Sequence, residues 1–371
     1  MTIPHMSAQS ITQGGVQDGS VWGELLFTFS DSELDHDPDT YLQLQTPHRE
    51  RPKKPIWKQL HSLRPELESL GSCSDQDQLD VARAKLAQRG FAALTHHSKV
   101  LEESALETQY DYSLFVLENQ DDAKPFSHSI PPRLMKKITG ADEVIVWNTV
   151  KRDSTASLSA SLSDDYERQR TPQGIESRFD KPLEPPALFA HIDQDPSYGT
   201  AVCSMAIAAT PWLLTQPLSP IHPLKAIEIN LAKNYSRTMI INLWRPVGGK
   251  VYDKPLAVAD FRSLDKNSLS RHANPFGCGY DVHDHDGQRW HFIPHQTNDE
   301  VLVFKCYDSL SLQQQQEQQQ EEQEDSDEKH QVEALYGAHC AVTRLKGAYP
   351  IPPPNAPPRK SVEFRFVAVW R

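Results

Sequence analysis

The sequence has no run of 18 consecutive apolar residues, which excludes a membrane-spanning helix. It also lacks a basic excess. With 38 Lys+Arg against 50 Asp+Glu the formal charge is −12, whereas a protein that neutralises nucleic-acid phosphates leans basic. Cysteine is sparse: Cys73, Cys203, Cys278, Cys306 and Cys340 lie far apart with no C-x-x-C pair. An odd, scattered set argues against a disulfide framework or zinc ribbon and for a reducing compartment. The first 20 residues contain no apolar stretch of secretory type. These absences together predict a cytoplasmic protein with neither nucleic acid nor membrane as partner.

Hydrophobic residues make up only 38% of the 371, so part of the chain is expected to stay unpacked. Two segments fit that expectation. Residues 1–20 are rich in Ser, Gln, Gly and Thr and read as a disordered N-terminus. Residues 311–330 carry a Gln/Glu tract too polar to bury, read as a disordered insertion, with a solvated helix as the alternative. Strand-type sequence resumes after the tract, so 21–371 reads as a single domain.

Between these segments the pattern is mainly β, with helical additions towards the N-terminal side. Strand-like runs begin at Val21, Phe91, Glu143, Leu188, Met239, Leu256, Arg289, Val301 and Ser361. Residues 31–54 and 151–178 read as loops. Apolar spacing predicts helices over 75–90, ending on Gly90, and over 101–117, with others around 212–214 and 223–232. Several short strands separated by Pro and Gly favour an antiparallel sandwich or barrel.

Within this β-rich half, His191-Ile-Asp193 is the single His-x-Asp of the chain. On an extended segment, residues two apart point the same way. Two imidazoles and one carboxylate on one face of a metal form the ligand set of non-haem iron oxygenases. A second histidine is therefore required. Candidates are His339 in Gly-Ala-His-Cys, the pair His283 and His285 in a turn-like acidic segment, and His291 and His295 around Phe-Ile-Pro. Downstream, Arg359 and Ser361 project together from a strand start and can grip a carboxylate through a guanidinium fork and a hydroxyl. The order His-x-Asp, strands, His, Arg-x-Ser favours His339.

That order resembles the Fe(II)/2-oxoglutarate-dependent dioxygenases, whose core is a double-stranded β-helix, a cupin-like jelly roll. The blocks Ala190-His-Ile-Asp-Gln-Asp195, Ile241-Asn-Leu-Trp-Arg-Pro246, Lys254-Pro-Leu-Ala-Val-Ala-Asp260, Asn298-Asp-Glu-Val-Leu-Val-Phe-Lys-Cys-Tyr-Asp-Ser309 and Pro358-Arg-Lys-Ser-Val-Glu-Phe-Arg365 narrow the resemblance to the fungal hydroxylase/desaturase group. That group includes the fungal gibberellin desaturase and a component of bacterial cephalosporin methoxylation. The resemblance implies His191, Asp193 and His339 as Fe(II) ligands, and Arg359 with Ser361 as the anchor of 2-oxoglutarate, Arg365 being the fallback anchor. Asn242, Trp244 and Arg245 are expected to line the pocket or brace the sheet. The implied activity is hydroxylation or desaturation of a small molecule with O2 in secondary metabolite biosynthesis. The alternative is a non-catalytic jelly-roll accessory partnering another biosynthetic enzyme.

Overall fold

The computed structural model describes residues 20–37, 40–43, 50–97, 131–156, 184–210, 223–274, 277–323 and 332–371. In chain order the described strands begin with β1 (Val21–Thr28), β2 (Lys53–Ser62), β3 (Phe91–Thr95), β4 (Glu143–Asp153) and β5 (His191–Ile192). They continue with β6 (Arg237–Val247), β7 (Leu256–Ala259), β8 (Leu269–Asn274), β9 (Gly277–Val282) and β10 (Trp290–Phe292). The last four are β11 (Glu300–Asp308), β12 (His339–Ala341), β13 (Arg344–Gly347) and β14 (Lys360–Trp370). They form two curled sheets, one in the order β13-β1-β2-β10-β7-β12-β5-β9-β8 and one in the order β3-β11-β6-β14-β4. This is the expected jelly-roll architecture.

β6 shows why the five-stranded sheet folds as it does. Its sequence Arg-Thr-Met-Ile-Ile-Asn-Leu-Trp-Arg-Pro-Val is buried on both faces, as a central strand covered on both sides must be. Ile240 and Trp244 face the space between the sheets, while Met239, Ile241 and Leu243 face an outer layer of helix. That layer is formed by α2 (Asp75–Arg89) and α3 (Pro131–Thr139), α2 being preceded by the short α1 (Arg64–Leu70). The Ser74 side chain caps α2 by accepting from the Asp77 amide at 3.2 Å. Gly90 ends it at φ 85°, where a Cβ would lie 2.6 Å from the Tyr336 carbonyl oxygen, so both backbone shape and space demand glycine.

The inner core holds Phe27, Phe91, Trp244, Trp290, Phe292 and Phe304, all fully buried or nearly so. Burying each such side chain contributes roughly 1.5–3 kcal/mol. α4 (Pro196–Ala208) packs against this core, its Gly199 seated on the Tyr307 ring. The segment expected to be helical over 223–232 divides into α5 (Pro223–Glu228) and a 3-10 turn, Leu231–Asn234, separated by Asn230 at φ 49°.

Other differences from the sequence reading have physical causes. β2 begins inside the segment read as a loop: its polar Lys-Lys-Pro-Ile-Trp-Lys-Gln run is held by β1 along its whole length, and β10 pairs with the following Leu60 to Ser62. β4 runs on to Asp153 because β14 pairs with it throughout. The Gln/Glu tract opens as a helix, α6 (Ser309–Gln323), which corrects the disordered reading of 311–330 over that stretch. Gln and Glu are good helix formers. The first turns are tied down, with the Ser311 hydroxyl donating to the Ala334 carbonyl at 3.1 Å and Gln314 Oε1 accepting from the Glu333 amide at 3.0 Å. Residues 1–19, 101–117, 157–178, 212–214 and 324–330, for which disorder, helix or loop was expected, lie outside the described residues.

Register now places the inner face. Residues directly opposite on paired strands point to the same side. In the nine-stranded sheet one such row runs Asp281, His191, His339, Val258, His291, His61. In the five-stranded sheet another runs Phe91, Phe304, Asn242, Arg365, Asn148. The rows face each other: the Phe91 ring lies 5.2 Å from His291, and the Phe304 ring 4.5 Å from His339.

Candidate metal centre

His191 and His339 are direct cross-strand neighbours, their ring centroids 4.4 Å apart. Asp193, two residues beyond His191, brings Oδ1 to 3.5 Å from His191 Nε2. One ligand atom from each of the three residues lies within 4.8 Å of the others, the one such His/Cys/Asp/Glu group among the described residues. Ligands on adjacent positions around one ion, each about 2.1 Å from it, stand roughly 3 Å apart, so small side-chain adjustments suffice to close on a metal.

The tautomers also fit. His191 Nδ1 lies 2.8 Å from the Phe189 carbonyl oxygen and His339 Nδ1 3.3 Å from that of Gly337. A carbonyl only accepts, so each Nδ1 carries the proton and each Nε2 presents a lone pair. Burial, and then the neighbouring His191 ring, push His339 down to about 4, keeping it neutral near pH 7. Burial works against an ionised Asp193, but the Arg365 guanidinium and the two imidazoles outweigh it and hold the carboxyl well below its usual range. A buried set of two imidazoles and one carboxylate is the donor chemistry that Fe(II) takes in the two-His, one-carboxylate arrangement.

Asp193 Oδ2 is held from the facing sheet. It accepts from Asn242 Nδ2 at 3.2 Å and Cys306 Sγ at 3.6 Å, and Arg365 Nη2 lies 3.4 Å away. Burial and the adjacent Asp193 charge raise the Cys306 thiol well above its usual range, so it remains a donor.

Arg359 sits deeper along the five-stranded sheet, just before β14. Its guanidinium donates to the Ser361 hydroxyl at 3.2 and 3.4 Å and to the Lys254 carbonyl, and lies 5.0 Å over the Trp244 ring. It is 3% exposed, and among the described residues no carboxylate lies within ion-pairing distance of it. Burial, and then the charge of Arg152, push it down to about 9. A buried cation in this condition has capacity left for an anion.

Arg365, the fallback anchor, is a different case. Its charge is already matched by Asp193 and by Glu363, which accepts from Arg365 Nε at 2.7 Å. Asn242, Trp244 and Arg245 now separate. Asn242 and Trp244 face the site, whereas Arg245 braces the fold, bonding the carbonyls of His96 and Asn298.

The other histidines have different employments. His283 Nδ1 meets the Thr28 carbonyl at 2.8 Å, and the His285 ring lies between the Asp265 and Gly287 amides, 3.3 Å from Nε2 and 3.1 Å from Nδ1, accepting from one of them. His295 packs against Tyr252 and Tyr349. His291 stacks near His61 and Phe91 on the far side of Val258. The Asn242/Cys306 contribution escaped sequence reasoning. Its one visible signal was that both residues fall inside the Ile-Asn-Leu-Trp and Phe-Lys-Cys-Tyr blocks.

A family model described as an oxidoreductase/YMDC permease-like domain matches residues 75–369. Among the described residues no helix is long and apolar enough to cross a membrane. The aspirochlorine biosynthesis protein N of Aspergillus oryzae is 28% identical over 44% of this chain and 66% of that protein. The Fe(II)/2-oxoglutarate-dependent dioxygenase nvfI of Aspergillus novofumigatus is 24% identical over 62% of each chain. The hydroxylase/desaturase CTB9 of Cercospora beticola is 28% identical over 47% of this chain and 50% of that protein. The chain thus spans between half and two thirds of the length of these curated relatives. A solved structure of the iron and alpha-ketoglutarate-dependent endoperoxidase NvfI shares the fold, with a TM-score of 0.56 at 19% identity over 95% of this chain and 98% of that one. The chain therefore belongs to this oxidoreductase family, alongside fungal Fe(II)/2-oxoglutarate-dependent dioxygenases and hydroxylase/desaturases.

Proposed function

We propose that the protein is a non-haem Fe(II)/2-oxoglutarate-dependent oxygenase that hydroxylates or desaturates a small organic molecule in secondary metabolism. The observation that carries this reading is the convergence of His191, Asp193 and His339 between the sheets, with the buried Arg359 guanidinium facing the same interior. His191, Asp193 and His339 would hold the iron. Bound iron would supply the activation of O2 that couples oxidative decarboxylation of 2-oxoglutarate to oxidation of a substrate C–H bond.

The protein's own contributions follow from its residues. Arg359 and Ser361 take the distal carboxylate of 2-oxoglutarate, the guanidinium by two-pronged charge-assisted bonds and the hydroxyl by one more. Trp244 forms an apolar wall beneath that guanidinium and fixes its plane. Phe304 closes the side of the His339 ring. Together these walls exclude water from the reacting centre. All five cysteines are free thiols, which supports a cytoplasmic location.

The test is succinate release from 2-oxoglutarate by the full-length protein with Fe(II) and ascorbate. It is run alone and with a panel of small terpenoid, polyketide and amino-acid-derived candidates. Succinate formation that is lost in His191→Ala is expected. Folded, metal-loaded protein that forms no succinate under any of these conditions would sink the proposal.

A further inference from the structure

Three side chains converge on one oxygen of Asp193, two as hydrogen-bond donors and one as a neighbouring cation, and they come from three different strands. Asn242 lies on β6, Cys306 on β11 and Arg365 on β14, so all belong to the sheet opposite the proposed iron ligands. Asn242 and Arg365 are direct cross-strand partners, which places both beneath the same carboxylate oxygen. From these contacts we infer that Arg365, with Asn242 and Cys306, is a positioning residue that holds Asp193 as a one-oxygen metal ligand. This inference rests on the iron reading given above.

The geometry supports a division of labour within the carboxylate. Oδ2 faces Asn242, Cys306 and Arg365 at 3.2, 3.6 and 3.4 Å, while Oδ1 lies on the His191 Nε2 side at 3.5 Å. An oxygen with two hydrogen-bond donors on it and a guanidinium charge beside it has little lone-pair capacity left for a cation. Oδ1 is then the oxygen offered to the metal. Two-oxygen binding would occupy a further coordination position, which a site that must admit both co-substrate and O2 needs open.

Glu363 keeps Arg365 in this role. Residues 363 and 365 point to the same side of β14, and Arg365 Nε donates to Glu363 Oε1 at 2.7 Å. With Nε engaged there, the guanidinium is held beside Asp193 with Nη2 3.4 Å from Oδ2. A substitution that merely removed a buried charge pair would alter stability. Loss of a positioning residue alters how the metal is held.

The experiment uses full-length protein under anaerobic conditions with Co(II) as the probe, read by calorimetric affinity and by the visible absorption of the bound ion. Thermal melts accompany each variant. Arg365→Met is expected to weaken Co(II) binding by roughly 10–100-fold, the range for losing a group that orients a ligand, and to change the Co(II) absorption. Arg365→Lys is expected to recover part of that affinity. Asn242→Ala leaves no uncompensated charge, serves if Arg365→Met does not fold, and is expected to shift both readouts in the same direction by less. Folded Arg365→Met with wild-type affinity and absorption overturns the assignment. So does an unchanged Asn242→Ala when Arg365→Met is unfolded. Wild-type protein that binds neither Co(II) nor Fe(II) overturns the iron reading itself, an outcome distinct from intact binding that the variants leave untouched.

Discussion

Replacing Arg359 by Met should separate co-substrate binding from folding. The guanidinium is 3% exposed, held by Ser361 and Lys254, and has no acidic partner among the described residues. Its fall from 12.5 to about 9, caused first by burial and then by Arg152, corresponds to roughly 5 kcal/mol spent carrying the charge in the ligand-free protein. Methionine removes that cost and keeps an apolar stem over Trp244, while giving up the bonds to Ser361 and Lys254. The two effects oppose, so the melting temperature of the ligand-free variant should match or exceed wild type.

Binding of 2-oxoglutarate should suffer instead. Truncating one partner of a buried charge pair costs about 2–5 kcal/mol, and about 3 kcal/mol is roughly a 100-fold weaker Kd. Arg359→Lys retains the charge without the planar fork and should lose about tenfold. The assay is anaerobic titration of 2-oxoglutarate into the Fe(II) protein, alongside melts without ligand. A folded Arg359→Met variant with wild-type affinity would refute the reasoning. A variant that loses affinity only because it melts much earlier would refute the stability half.

Two further outcomes are expected. Burial, and then Arg89 and His61, hold His291 down to about 3, so the folded protein keeps it neutral while the unfolded chain takes up a proton below pH 6.5. Stability from this group is therefore complete above pH 6.5 and falls between there and pH 3, by about 2 kcal/mol at pH 5. His291→Phe should flatten that part of the urea-midpoint profile in metal-free protein, and an unchanged slope would count against the burial argument. Excising 316–330 should leave the melting temperature nearly unchanged and turnover within about twofold, because Gln314 on one side of the cut already touches Glu333 on the other. A large loss of either would give that segment a structural or functional part.

Much of this site was written locally. The His-x-Asp spacing sets both groups on one side of an extended segment, and Arg359 with Ser361 repeats the device at the head of β14. Long β-rich runs made β6, β11 and β14 visible, and apolar spacing with a terminal Gly90 made α2 visible. β2 was missed because its polar run is stabilised by pairing with β1, a non-local cause. The β8–β9 hairpin was missed as well, its strands being short and mixed in polarity. α4 was hidden because nine of its thirteen residues are buried, which erases the amphipathic period. Its one local mark was Asp195, which caps the Tyr198 amide at 2.8 Å, followed by Pro196. The Asn242, Cys306 and Arg365 grip on Asp193 could not be seen at all. It depends on how two sheets register against each other across the interior.

Lys305 gives the Gln/Glu tract a meaning beyond tolerance of extra length. Its fully buried ammonium bonds Asp308 at 2.7 Å before the tract, and Glu333 at 3.4 Å and the Ala334 carbonyl at 3.0 Å after it. One side chain thus staples the exit and the re-entry of the chain to a single point. The tract can lengthen or shorten between generations while His339 stays where strand pairing puts it.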